Sequence, residues 1–314
     1  MRARRSCLSV PGSSPKMLAK AAGLQADEVF FDLEDSVAPL EKEAARGNVI
    51  EALKQNEYAA PTKVLRVNGV YTRWCAKDII EVVEAVGEQL DCIMIPKVET
   101  VADVKFVSNM LRMIEENMGF ERAIGLEVQI ETAIGLKNLH DIAAADDRIE
   151  DLILGPADMS ASLGLPTVTA GEPIPGYENL DHFHYVLTHI NIAARANNLQ
   201  AIGGPYLLIR DLDGFRAAAM RERALGYDGK WALHPDQVAV LNEVFAPTQH
   251  EYDKAEAILE YYEHVTTVER KGAVMFGKEM IDEASRKMAE QFAARGRAAG
   301  MKRARKAEDF LKGD

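Results

Sequence analysis

Short runs of β-branched and apolar residues recur along the chain, separated by stretches whose apolar positions repeat at helical spacing. The runs are Cys7-Leu-Ser-Val, Glu28-Val-Phe-Phe-Asp-Leu, Lys63-Val-Leu-Arg-Val, Cys92-Ile-Met-Ile, Ile124-Gly-Leu-Glu-Val-Gln-Ile, Asp151-Leu-Ile-Leu, Leu199-Gln-Ala-Ile and Lys230-Trp-Ala-Leu. Amphipathic segments such as Trp74 to Leu90, Val101 to Asn117 and Tyr185 to Asn197 lie between them. Strands that alternate with helices pair in parallel through right-handed crossovers. Eight such units in about 250 residues predict a (β/α)8 TIM barrel rather than an open doubly wound sheet.

Two segments break the repeat. Leu165 to Leu180, with Pro166, Pro173, Pro175 and Gly176, reads as a long loop after the sixth strand, on the face where barrel enzymes place their chemistry. Beyond Pro247 only helical pattern remains: one helix over His250 to Arg270, a turn or short hairpin over Lys271 to Lys278, and a second helix from Met280 onward. The chain is therefore expected to divide into a barrel over 1–247 and a helical arm over 248–314. The (β/α)8 repeat does not require such an arm.

Charge sharpens this picture. The net charge is −12, yet residues 1–20 carry Arg2, Arg4, Arg5, Lys16 and Lys20 and no acid, and the last thirty residues are also basic. The body between them is strongly acidic, which argues against a nucleic-acid surface. The basic start leaves room for a small polyanionic ligand, and the basic tail reads as solvated. No apolar run approaches the ~20 residues of a membrane span, and Leu8-Ser-Val-Pro-Gly breaks too early for a signal-peptide core. Three cysteines without CxxC spacing suggest buried thiols in a reducing cytoplasm rather than disulfides or zinc. No glycine-rich dinucleotide or P-loop motif is present.

The chemistry lies at the strand ends. The second strand finishes in Asp32-Leu-Glu34-Asp35, the third in Arg66-Val-Asn68 and the fourth in Pro96-Lys97-Val-Glu99. The fifth finishes in Glu131-Thr132, the sixth in Gly155-Pro-Ala-Asp158 and the eighth in His234-Pro. A barrel gathers these ends on one rim, and buried charges there require a ligand, a metal or each other. Glu131 and Asp158 end adjacent strands and can face one point, as a hard divalent cation such as Mg2+ requires; a structural ion pair with Lys97 or Arg66 is the competing reading. Arg66 and Lys97 are the rim cations, suited to carboxylate recognition or oxyanion stabilisation, or to pairing with Asp32, Glu34 or Asp35. His234 is a candidate base or a hydrogen-bonded structural residue. Glu127 is expected to point into the barrel or pair locally, and His182, His184 and His189 lack metal-site spacing.

The ordered segments Val10-Pro-Gly, Phe31-Asp-Leu-Glu-Asp-Ser-Val-Ala-Pro, Leu65-Arg-Val-Asn, Ile93-Met-Ile-Pro-Lys, Glu131-Thr-Ala-Ile-Gly, Gly155-Pro-Ala-Asp and Gly229-Lys-Trp-Ala-Leu-His-Pro-Asp-Gln-Val resemble the citrate lyase β-subunit-like (HpcH/HpaI aldolase) family, and within it the malyl-CoA/β-methylmalyl-CoA lyases. The resemblance spans about residues 5 to 290. It implies a Mg2+-dependent, reversible Claisen-type cleavage of a 3-hydroxyacyl-CoA to an acyl-CoA and a 2-oxo acid, with Mn2+ able to substitute. It also implies self-association as a trimer or hexamer.

On that resemblance, Glu131 and Asp158 match the metal ligands and Arg66 the residue that stabilises enolate and oxo-acid oxygens. Asp282 matches an acid/base that a C-terminal segment delivers to a neighbouring subunit. Arg5 and Lys16 match the CoA-binding region, and Asp32, Glu34 and Lys97 complete the expected substrate-binding set. Gly203 stands where many relatives have Asp, and the 165–180 loop also departs from theirs. Both differences leave the exact substrate open. Cleavage of malyl-CoA or β-methylmalyl-CoA to glyoxylate is the expected reaction, with citramalyl-CoA cleavage and malyl-CoA hydrolysis as alternatives; the presence of Asp282 speaks against a citrate lyase β subunit, and the intact Arg66, Glu131, Asp158 and Asp282 set against a non-catalytic CoA-binding subunit.

Overall fold

The structure is a computed structural model that describes residues 2–169, 174–177 and 181–311. Eight parallel strands close into a barrel: β1 Ser6–Pro11, β2 Glu28–Asp32, β3 Thr62–Arg66, β4 Cys92–Ile95, β5 Gly125–Ile130, β6 Ile149–Leu154, β7 Gln200–Gly203 and β8 Gly229–Ala232. Each pairs with its neighbour in sequence, and β1 pairs with β8 to complete the ring.

The period of two along each strand sorts residues between two environments. Val29, Phe31, Leu65, Ile93, Leu126 and Val128 face the helices and form the main core. Cys7, Phe30, Val64, Met94, Ile153, Ile202 and Trp231 fill the barrel's middle. Below this apolar layer, at the N-terminal ends of the strands, Arg4 is buried among acids. It donates to Glu28 and Glu127 at 3.0 Å each, lies 3.1 Å from Asp151, and reaches Gln200 at 2.7 Å. Burial, followed by mutual repulsion, raises the Glu127 carboxyl well above its ordinary value. Glu127 thus points into the barrel, as its sequence position suggests, and all three cysteines are buried thiols.

The chain divides into two compact units between Phe245 and Ala246. The second unit opens with the helix Gln249–His264, whose Thr248 and Glu251 form a reciprocal cap that fixes its start. A π-helical turn over Val265–Glu269 follows, then a hairpin of β9 Val274–Phe276 and β10 Glu279–Ile281. The hairpin turn uses Gly277 at φ +60°, a conformation that glycine adopts without steric cost. The helix Glu283–Ala298 then packs Ala289 and Ala293 against Ala257, Ile258, Tyr262, Phe276 and Ile281. Within the 165–180 loop, residues 170–173 and 178–180, including Pro173 and Leu180, lie outside the described residues. Among the described residues no helix is long and apolar enough to cross a membrane.

Candidate active site at the strand C-termini

Asp32 and Arg66 are the last residues of neighbouring strands and are register partners, so both point inward at the same height. Arg66 grips Asp32 through two bonds, Nε to Oδ1 at 2.8 Å and Nη2 to Oδ2 at 2.7 Å. Its guanidinium also lies 5.0 Å from the centroid of the Trp231 ring. Burial opposes the charge on Arg66, but the attraction of Asp32 outweighs it and raises the group above its ordinary value. Burial likewise opposes the Asp32 charge, and the same pair holds that carboxyl below its ordinary range. A planar, pre-paired guanidinium on an aromatic face is a rigid donor array for carboxylate or enolate oxygens.

Glu34 extends the network. Its carboxylate lies 3.3 Å from Arg66 Nη1 and accepts a short bond from Lys97 Nζ. Lys97 Nζ also sits 3.3 Å from Asp35 and 3.6 Å from Asp158. The Lys97 backbone is left-handed at φ +53°, which is uncommon for a side-chain-bearing residue. This turn aims its N–H at Glu131 Oε1, 2.7 Å away. From behind, Lys42 Nζ donates to the carbonyls of Leu33 and Glu34 and braces the loop after β2.

Glu131 follows β5 and is 2% exposed. Gly155, the residue after β6, makes room for it: a Cβ there would lie 2.1 Å from Glu131 Oε2. Gln129, two residues earlier on the same inward face, donates to Glu131 Oε2 at 2.9 Å. Burial is the largest influence on the Glu131 carboxyl, Lys97 partly offsets it, and Asp158 adds repulsion; together they push it up to about 8. Asp158 stands in the first turn of the helix Pro156–Leu163, with its side chain 38% exposed.

Five carboxylates (Asp32, Glu34, Asp35, Glu131 and Asp158) thus gather around three side-chain cations, Arg66 and Lys97 at the rim and Lys42 behind the loop after β2. This excess negative charge suits a divalent cation. Among the described residues no three His, Cys, Asp or Glu side chains form a closed metal site. The donor set is instead one buried and one open carboxylate, which fits Mg2+, an ion that takes one or two carboxylates and completes its shell with water and substrate oxygens.

Asp32, Glu34, Arg66, Lys97, Glu131 and Asp158 therefore meet as the sequence suggests, and Arg5 does not join them. Arg5 stands before β1, at the opposite end of the barrel, where it pairs with Asp27 at 2.7 Å. Arg2 pairs there with Asp91 and Glu150, and Arg4 is spent in the barrel floor. Arg5 therefore stands away from the rim residues beside which the resemblance expects it to meet CoA. A residue preceding a parallel strand sits at the base, and three of the five cations counted there already neutralise acids. Lys16 is exposed on the helix Pro15–Ala21 that follows β1, on the rim side.

His234 caps the helix Pro235–Val244, its Nδ1 accepting from Asp236 N–H at 3.2 Å, which favours the structural reading. His189 contacts His140, Nε2 to Nε2 at 3.1 Å. Gly203 faces Glu222: a Cβ there would come within 1.8 Å of Glu222 Oε2, and Glu222 is paired with Lys230. Asp282 belongs to the second unit and caps the helix Glu283–Ala298, its Oδ1 accepting from Ala284 and Ser285 N–H. The Ser285 N–H bond, ahead of the other contributions, holds its carboxyl below the ordinary range.

Sequence reasoning missed Gln129, Gly155 and Trp231 as parts of the site. The shared parity of 127, 129 and 131, each polar within an apolar strand, was the available signal for Gln129.

Comparison with known proteins places this geometry. The family model for HpcH/HpaI aldolase/citrate lyase matches residues 5–235. An L-malyl-CoA/beta-methylmalyl-CoA lyase of Cereibacter sphaeroides is 38% identical over 297 residues, covering 92% of this chain and 93% of the relative. A (3S)-malyl-CoA thioesterase of the same species is 33% identical over 277 residues, covering 87% and 88%. Among solved structures, the CitE protein of Mycobacterium tuberculosis, in complex with magnesium, acetoacetate and coenzyme A, superposes with a TM-score of 0.70 at 26% identity, covering 94% of this chain and 97% of that one.

Proposed function

The chain belongs to the HpcH/HpaI aldolase/citrate lyase family, and from that premise we propose that it cleaves a 3-hydroxyacyl-CoA, malyl-CoA or β-methylmalyl-CoA, reversibly into an acyl-CoA and glyoxylate with Mg2+ bound by Glu131 and Asp158. The observation that carries the reading is the rim network. A buried and an open carboxylate stand beside an arginine fixed by two bonds to Asp32. The relatives named as malyl-CoA/beta-methylmalyl-CoA lyases narrow the substrate class.

Bound Mg2+ would supply Lewis-acid polarisation of the oxo-acid oxygens. In the cleavage direction the C2–C3 bond breaks. The C3 hydroxyl gives its proton to the Asp282 carboxylate and becomes the carbonyl of glyoxylate, and the bonding electron pair moves onto the thioester enolate. Arg66, held over the Trp231 ring, donates to the oxygens on which that negative charge develops. Lys97 and Glu34 keep the loops after β4 and β2 in register, so the arginine does not reorganise as charge forms. Asp282, supplied by a neighbouring subunit, returns a proton to C2 of the acyl-CoA and removes it in condensation. An acid/base on a separate compact unit accounts for the C-terminal arm and for self-association as a trimer or hexamer. Lys16, exposed on the rim side, is the remaining N-terminal candidate for CoA phosphates. We place the enzyme in a reducing cytoplasm on its three buried free thiols.

The test is a panel of malyl-, β-methylmalyl- and citramalyl-CoA with Mg2+, scored for the oxo acid released. The likeness to a malyl-CoA thioesterase supports one second reading, in which water attacks the thioester at the same site. Free malate without glyoxylate would select that reading.

A further inference from the structure

We infer that Gln129 is a positioning residue that sets the geometry of Glu131 for the cation; this rests on the lyase reading above. The strand period puts Glu127, Gln129 and Glu131 on the inner face of β5. Glu127 is used by Arg4 in the floor, and Glu131 reaches the rim. Gln129 lies between them, 2% exposed, in the layer otherwise filled by Phe30, Val64, Met94, Ile153, Ile202 and Trp231. A methionine or leucine would pack at that height without burying an amide.

What the amide does is specific. Its Nε2 donates to Glu131 Oε2 at 2.9 Å, while the Lys97 N–H donates to Oε1 at 2.7 Å. Each carboxylate oxygen therefore has one fixed donor, and the plane of the carboxylate is pinned from two strands. Turning the amide over would set oxygen against oxygen, so Glu131 also dictates which end of Gln129 faces away. That end, Oε1, is buried and without a hydrogen-bond partner among the described residues. Leaving an acceptor unpaired in the interior is costly, so the amide is kept at this height for what its other end holds. Partners of this kind behind a metal ligand commonly change metal affinity or turnover by about 10–100-fold when removed.

The experiment titrates Mn2+ by electron paramagnetic resonance into the full-length protein and three variants, with kcat, KM and Tm measured alongside. Gln129→Met keeps the volume and removes the amide. Gln129→Asn keeps the amide but withdraws it by one methylene, and so provides a polar variant should the first fail to fold. Met94→Leu perturbs the same layer without touching a polar group. The inference expects Mn2+ affinity to fall about 10–100-fold in both Gln129 variants, kcat to fall while KM for the thioester holds, and Met94→Leu to bind Mn2+ as wild type. Wild-type Mn2+ affinity and kcat in the Gln129 variants, with only Tm lowered, would overturn it, as would an equal loss in Met94→Leu. Failure of the wild-type protein itself to bind Mn2+ would instead overturn the lyase reading on which the inference stands.

Discussion

Replacing Gly155 by alanine adds one methyl group beside the proposed metal ligand, and the structure gives its consequence in ångströms. The backbone at Gly155 has φ −97° and ψ 92°, which alanine adopts without strain, so any effect comes from the methyl alone. That Cβ would sit 2.1 Å from Glu131 Oε2 and 2.4 Å from Glu131 Cβ. Carbon atoms in contact rest about 3.5–4.0 Å apart, so the second contact is short by more than ~1 Å. Rotating the Glu131 side chain cannot relieve a clash with its own Cβ. The ends of β5 and β6, joined there by Gly155 N–H to Ile130 O at 3.1 Å, must separate instead.

Overpacking of this kind costs about 1–3 kcal/mol, or roughly 2–12 °C in Tm for a domain of this size. Displacing a catalytic group by ~1 Å costs on the order of 10²-fold in rate. The assay is Mg2+-dependent kcat/KM on malyl-CoA with thermal unfolding alongside. Gly23→Ala is the control, because a Cβ there meets nothing within 4 Å. Gly155→Ala within about threefold of wild type, against the ~10²-fold loss expected, would refute the placement of Glu131 against β6.

Three further perturbations address other parts of the account. Lys97→Ala keeps a side chain in the left-handed region, whereas Lys97→Gly removes that strain, so the glycine variant should melt higher by about 1 kcal/mol equivalent while both lose the ammonium; thermal unfolding decides it, and an alanine variant equal to glycine contradicts it. Arg66→Lys cannot reproduce the two-bond grip on Asp32 or the guanidinium over the Trp231 ring, and kcat should fall at least ~10²-fold with the barrel still folded by circular dichroism. In the floor, the raised Glu127 carboxyl means that the folded state binds its proton more tightly than the unfolded chain. Its contribution is therefore full below the ordinary carboxyl range and is lost as pH rises toward the folded value. Glu127→Gln should therefore show a smaller fall in Tm between pH 6 and pH 9 than wild type, and identical slopes would contradict the assignment.

The barrel and its rim were legible because two local rules act everywhere along the chain. Parity on a strand decides inside from outside, and strand direction decides rim from base. Asp32 and Arg66 follow from those rules, being strand-end residues whose apolar predecessors Phe30 and Val64 fill the inner layer and whose flanks Phe31 and Leu65 face the helices; Glu131 follows from its outward flank Ile130. Direction also decides Arg5, which precedes a six-residue strand and so lies on the order of 20 Å from the rim; counting N-terminal cations without that rule assigns it to the wrong face.

Other features depended on contacts remote in sequence. Arg4 appears as one more basic residue until Glu28, Glu127 and Asp151, from β2, β5 and β6, converge on it. Gly155 looks like a turn residue until the Glu131 carboxylate is found in the volume a side chain would occupy. The left-handed turn at Lys97 has no sequence signature, since lysine carries no preference for that conformation.

The central claim is carbon–carbon cleavage that depends on a cation held by Glu131 and Asp158. It is tested most directly by stripping the protein with EDTA, adding malyl-CoA, and measuring glyoxylate, acetyl-CoA and free malate before and after Mg2+ is restored. The account predicts no glyoxylate without Mg2+ and equimolar glyoxylate and acetyl-CoA with it, and neither product with Glu131→Gln. Turnover undiminished in EDTA, or malate and free CoA in place of glyoxylate, would contradict it.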